Sequence, residues 1–196
     1  MRNPTACRPR SLTALLFTAT IAVTGSVAGA ENGAENNAAW PPDAHNAQGA
    51  RRVETPYEAQ KVVYDFYFDD PQKINSALYW IRSLMNPLMA APYDYAPEQL
   101  SIKVVIHGTE IVTVARRNYS KYKDAVERMR YLHSLGVEFK VCALAAADYG
   151  YRPEDFQDFV EVVPSAFAEL AHWQMQGYAL ITPRILERRH SIEEIR

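Results

Sequence analysis

Cysteine is scarce in this chain of 196 residues: there are two, Cys7 and Cys142. A disulfide framework of the kind that holds small secreted domains together is therefore excluded, and no Cys-x-x-Cys or His-x-x-x-His spacing suggests a metal site. Glycine (8) and proline (12) are too few for a glycine-rich array or an extended polyproline segment, and no internal repeat marks a solenoid. There is no Walker A motif, no G-x-G-x-x-G and no G-x-S-x-G, which disfavours nucleotide enzymes and serine hydrolases. Basic residues do not exceed acidic ones, 21 against 23, so counterion release cannot drive binding to nucleic acid, and no nucleic-acid partner is expected. Hydrophobic residues at 48% and charged residues at 22% are those of a globular protein.

The one long uncharged run lies at the N-terminus. Arg2, Arg8 and Arg10 precede SLTALLFTATIAVTGSVAGA, residues 11–30, which has an apolar centre and the small-residue site Ala28-Gly29-Ala30. This pattern reads as a signal peptide, residues 1–30, cleaved near Glu31 for export to the periplasm, with a retained anchor as the alternative. Cleavage takes the 21 basic residues to 18 against 23 acidic, a net charge of −5, and leaves no run long enough to span a membrane. Cys142 becomes the only thiol, either buried and inert, paired between chains, or chemically used. Residues 31–60 show neither period 2 nor period 3.6 and read as a flexible linker, with Trp40 and the Tyr57 region able to dock on the body.

A folded body is expected over residues 61–183, followed by a charged tail at 184–196. KVVYDFYF, from Lys61, is a β-branched and aromatic run closed by Asp69-Asp70-Pro71. Its aromatics Tyr64, Phe66, Tyr67 and Phe68 suit a core or a subunit interface better than a ligand cage. Ile74, Ala77, Leu78, Ile81, Met85 and Leu88 trace one helical face, interrupted at Asn86-Pro87, where the helix is expected to end. Leu100 to His107 is a second strand. Residues 110–117 fit a short strand or a helical turn, the latter preferred. Tyr122, Ala125, Val126, Met129 and Leu132 mark a second helix ending at Gly136, and Val137 to Leu144 a third strand. Pro153 opens a helical turn, Val160 to Val163 is a fourth strand, Ser165 caps a helix bearing Phe167, Leu170, Trp173 and Gln174, and Tyr178 to Thr182 is a fifth strand. Short apolar strands alternating with helices predict a three-layer α/β/α sandwich on a mainly parallel five-stranded sheet.

In such sheets ligands bind beyond the carboxyl ends of the strands. Asp69 and Asp70 follow the first strand, His107-Gly108-Thr109-Glu110 the second, and Cys142 lies towards the end of the third. Neighbouring strands would bring His107 and Cys142 to one sheet edge, where imidazolium stabilises a thiolate, and these two are the candidate catalytic residues. The competing readings are a small core residue for Cys142, a hydrogen-bonded structural role for His107 and a solvated or capping carboxylate for Glu110. A metal reading would recruit His107, Cys142 and either His172 or Asp69. Neither a cofactor nor a metal is expected.

The segments KVVYDFYFDD, IRSLMNPL, IKVVIHGTEI, GVEFKVCALAAADYGYRPEDF and VEVVPSAFAELAHWQMQGYALITP, in this order and spacing, resemble the DsrE/DsrF-like family over most of 61–183. The resemblance implies a small α/β protein linked to sulfur metabolism and assembled as a homotrimer or hexamer. It also implies, for the sulfur-transfer branch, a cysteine that carries persulfide sulfur, for which Cys142 is the candidate. Members commonly have a polar residue just after that cysteine, where this chain has Ala143-Leu144-Ala145. Two functions follow as expectations: an exported sulfur carrier or sulfurtransferase that exchanges sulfur with a donor or acceptor, or a non-catalytic oligomeric module that binds a small ligand or a protein partner.

Overall fold

The computed structural model describes residues 49–196. The expected signal peptide, the expected linker as far as residue 48, Cys7 and Trp40 lie outside the described residues. Residues 50–59 have no regular structure, yet they do not run free of the body. The Tyr57 ring lies 5.4 Å from that of Tyr93, and its carbonyl accepts a hydrogen bond from the Tyr95 hydroxyl.

Strand β1 (Gln60–Phe66) sits inside the sheet, which is why its run of bulky residues is nearly continuous: both faces are covered. β2 (Leu100–Ile106) pairs with it in parallel from Gln60↔Leu100 to Phe66↔Ile106. β3 (Glu138–Cys142) pairs with β2, and β4 (Val160–Val163) with β3. β5 (Ala179–Ile181) returns to the far side of β1. The sheet is parallel throughout, in the order β4-β3-β2-β1-β5. The chain therefore builds outward from β1 to β4 and then crosses back, so strand order reverses between β1 and β5.

Val62, Tyr64, Phe66, Ile102, Val104, Ile106, Phe139 and Val141 form the larger core with helices α1 (Ile74–Met89) and α2 (Tyr119–Ser134). α1 runs past Asn86-Pro87, where the sequence predicts its end. Pro87 removes one N–H from the ladder, but it lies in the last turn, so the disruption is confined to the helix end, and buried Leu88 extends the apolar face. The Ala90 N–H, bonded to the Asn86 carbonyl at 3.1 Å, closes the turn. α2 buries Ala125, Val126, Met129 and Leu132 as its spacing predicts, whereas Tyr122 sits at a kink (φ −117°, ψ 23°) and is only partly covered. Gly136, at φ 91°, lets its own N–H bond the His133 carbonyl and that of Val137 bond Leu132, which turns the chain directly into β3.

The other face is thinner. α4 (Ala166–Met175) packs Ala166 and Leu170 on Val63, Val105 and Cys142. Phe167, placed on this helix by the sequence, is 75% exposed, because the contact row runs from Ala166 to Leu170 and Phe167 lies one step around the helix. β3 also stops earlier than expected. Ala143–Asp148 forms helix α3, as its alanines favour, with Ala146 in the larger core and Leu144 exposed. Cys142 is consequently the last residue of its strand. Residues 109–113 and 116–118 are helical turns as preferred, and between them Ala115 bridges to Phe156 in antiparallel fashion. A last short helix, α5 (Ile192–Ile195), is capped by Ser191.

Two substitutions separate core from surface. Ile81→Ala, at a fully buried position, should cost about 2–5 kcal/mol in urea denaturation, and Phe167→Ala should stay within about 0.5 kcal/mol of the parent.

Candidate functional site

The carboxyl ends of β1 and β2 are joined by one buried side chain. Glu110 is fully buried, and its carboxylate accepts the backbone N–H groups of Phe68 (3.0 Å), His107 (3.2 Å) and Gly108 (2.9 Å). Thr109 adds its N–H and its hydroxyl, each 2.9 Å from the Phe68 carbonyl. The approach is so close that a Cβ on Gly108 would lie 2.5 Å from the Phe68 nitrogen and 2.8 Å from its carbonyl oxygen, so only glycine fits. Burial pushes the Glu110 carboxyl above the ordinary glutamate range, and the N–H groups that surround it pull the other way. The sequence suggested a solvated or capping group here. Glu110 caps, but it caps two strand ends from the interior, and its position between Gly108 and Ile111 carried no sign of that burial.

This turn places His107. The imidazole Nε2 lies 2.7 Å from Asp65 Oδ1, and the other Asp65 oxygen is 3.3 Å from the Thr182 hydroxyl. Asp65 belongs to β1 and Thr182 follows β5, so the cluster stands at the reversal of strand order, where open α/β sheets form their crevice. The Tyr67 ring stacks on the imidazole (4.9 Å, 21°) and Phe167 meets it edge-on (5.6 Å, 68°). Of the four aromatics around β1, Tyr64, Phe66 and Phe68 are core, while Tyr67 is exposed. Sequence reasoning missed Asp65. Its signal was a carboxylate inside an apolar strand, two residues from Val63 and from Tyr67 on the same face.

Cys142 comes to the same face. The last β2–β3 pair is Ile106↔Val141, and one residue further along each strand stand His107 and Cys142. The cysteine is 5% exposed, packed among Val63, Val105, Ala166 and Leu170, and its thiol has no hydrogen-bond partner among the described residues. The other residues of the metal reading are occupied elsewhere. Asp69 pairs with Lys73 at 2.5 Å, and His172 packs edge-on against Trp173. Asp70 accepts the Gln72 N–H at 2.9 Å and shapes the turn into α1. Among the described residues no group of three or more His, Cys, Asp or Glu is placed to hold a metal ion.

Toward the amino ends of β2 and β3 this face carries charge instead of apolar side chains. Lys103 and Lys140 are buried beneath the Trp173 ring and paired with Glu138, and Lys140 also meets Glu161 and Glu169. Burial disfavours ionisation of both Glu138 and Lys140, but their mutual bonds, with Lys103 and Glu161, outweigh it: the glutamate is held below its ordinary range and the lysine above. The network fills the space that a second helix would otherwise cover.

An all-parallel three-layer sandwich with its polar cluster at the carboxyl edge defines a small α/β protein of the open-sheet class. The DsrE/DsrF-like family model matches residues 61–183, and the chain belongs to that family. Among solved structures, the fold resembles the protein of unknown function MTH1491 from Methanobacterium thermoautotrophicum, with 24% identity and a TM-score of 0.51 over 63% of this chain and 99% of that one. The YchN protein from E. coli is similar at 16% identity and a TM-score of 0.47, over 63% of this chain and 98% of that one. No functionally curated protein matches the chain.

Glu110→Gln should cost about 1–3 kcal/mol, because its amide turns a donor toward an N–H that needs an acceptor. The raised carboxyl also sets a pH dependence. The folded chain binds this proton more tightly than the unfolded chain, so the stability it confers is complete below the ordinary glutamate range and is lost as pH rises through the raised value. Urea denaturation across that window should show the parent losing ground to Glu110→Gln as pH increases.

Proposed function

We propose that this chain is an exported sulfur carrier of the DsrE/DsrF-like family, with Cys142 as the atom that holds sulfane sulfur and His107 as the group that favours its thiolate. The observation that carries this reading is the register: the only thiol among the described residues ends β3 one step beyond Ile106↔Val141, level with an imidazole already fixed by a carboxylate. A cation beside a thiol favours the nucleophilic form. In the step proposed, the Cys142 thiolate attacks the outer sulfur of a persulfide or of thiosulfate. A new S–S bond forms on Cys142, the donor's S–S bond breaks, and the donor leaves as thiolate or as sulfite with the electron pair of that bond. No external oxidant or reductant is needed.

A second reading is supported by the burial of Cys142 among four apolar neighbours, which suits a small core residue. In that case the carboxyl edge around exposed Tyr67 and Phe167 binds a ligand or partner without covalent chemistry. Assembly as a cyclic homotrimer or hexamer and residence in the periplasm after cleavage near Glu31 belong to the proposal under either reading. Cell fractionation and the N-terminal sequence of the mature chain test export, and light scattering tests assembly, where a monomer at micromolar concentration would count against it.

Incubation of the mature protein with polysulfide or thiosulfate should add one sulfur atom to Cys142, seen by mass spectrometry, and Cys142→Ser should abolish the adduct with the fold retained. A parent chain that takes up no sulfur, together with a Cys142→Ser chain of lower melting temperature, would favour the binding module.

A further inference from the structure

We infer that Asp65 is the positioning residue of this site: by accepting from Nε2 of His107 it leaves Nδ1, the ring nitrogen nearest the backbone, as the atom that takes the Cys142 proton. The inference rests on the reading of Cys142 as the reacting thiol. Its grounds are geometric. A neutral imidazole has one donor and one acceptor nitrogen, and the hydrogen bond made by one decides the role of the other. Asp65 Oδ1 lies 2.7 Å from Nε2, so the carboxylate fixes the proton there, and Nδ1 has no hydrogen-bond partner among the described residues.

The side of the ring matters as much as the tautomer. β1 and β3 flank β2 on opposite sides, and the two ring nitrogens point in widely divergent directions. A ring whose Nε2 reaches toward β1 turns Nδ1 away from it. Because Nδ1 is attached next to the carbon that bears Cβ, it can serve only a group close to the backbone of His107 itself. Cys142 is such a group: one register step past Ile106↔Val141, on the same face of the adjacent strand, about 4.8 Å across the sheet. Asp65 is itself held by the Thr182 hydroxyl, and the plane of the imidazole is set by the stacked Tyr67 ring and the edge of Phe167. The other carboxylate nearby, Glu110, is engaged by backbone N–H groups, among them that of His107. Asp65 is thus the carboxylate bonded to the ring, and its negative charge favours the imidazolium formed when the thiol proton arrives.

The test is the rate of alkylation of Cys142 by iodoacetamide across pH, in the mature full-length protein and in Asp65→Asn, Asp65→Glu and His107→Gln, with the nitrogen NMR signature of His107 recorded alongside. The parent should react faster at neutral pH than the same chain unfolded in urea, with the proton on Nε2. Asp65→Asn, whose amide can donate to Nε2, should move the proton to Nδ1, slow the reaction on the order of 100-fold at neutral pH and displace the profile to higher pH. His107→Gln should do the same, and Asp65→Glu should restore much of the parental rate. A parental proton on Nδ1, a parental thiol no faster than the unfolded one, or an Asp65→Asn profile that superimposes on the parent would each overturn the inference. Failure of sulfur loading with these profiles intact would overturn the sulfur-carrier reading and leave the inference standing.

Discussion

A carboxylate without access to water, gripping three backbone N–H groups, is the constraint on which the carboxyl edge depends. At the end of a parallel strand the ladder stops and its N–H groups need acceptors, and water supplies them only where the turn is open. Here the turn is closed against Phe68, so Glu110 supplies them from within. Tyr67 and Asp65 sit on one side of this junction and His107 on the other, and the grip on Phe68 and His107 holds the two sides in fixed relation. Charge-assisted bonds offset part of the cost of burying the carboxylate.

The two faces of the sheet do different work. One carries the larger core beneath α1 and α2, and the polar cluster lies on the other, where α4 is the main cover. A single ten-residue helix cannot roof five strands. Toward the amino ends the gap is filled by lysines and glutamates in contact with Trp173; in the middle by Val63, Val105 and Leu170; toward the carboxyl ends by His107, with exposed Tyr67 and Phe167 packed against its ring. Paired charges confer less stability than a well-packed apolar layer would.

The five strands, their parallel order and the faces of α1 and α2 were legible because hydrophobic spacing reports burial directly. Boundaries were less so where two local rules competed. Pro87 argued for a helix end against Leu88, which argued for another turn, and tertiary burial decided. Ala143-Leu144-Ala145 extended an apolar run that reads as strand, while alanine prefers helix. The placement of His107 and Cys142 at neighbouring strand ends was legible, and their register follows from adjacent strands. Asp65 and Glu110 were not, since a carboxylate's partners are set by chain segments far away in sequence: Phe68 for Glu110, His107 and Thr182 for Asp65. The lysine network was hidden for the same reason, its members being spread over two strands, the edge strand and α4.

β5 joins the sheet beside the strand that was made first, and Asp65 meets Thr182 across 117 residues of chain. Until residues near 180 have emerged, β1 has no neighbour on one side and presents an apolar, unpaired edge. Closure of so long a loop comes late and slowly in folding. A chain interrupted before its last strand keeps the larger core but exposes a template for pairing with other chains, so premature termination here would produce aggregation-prone fragments instead of a smaller working domain.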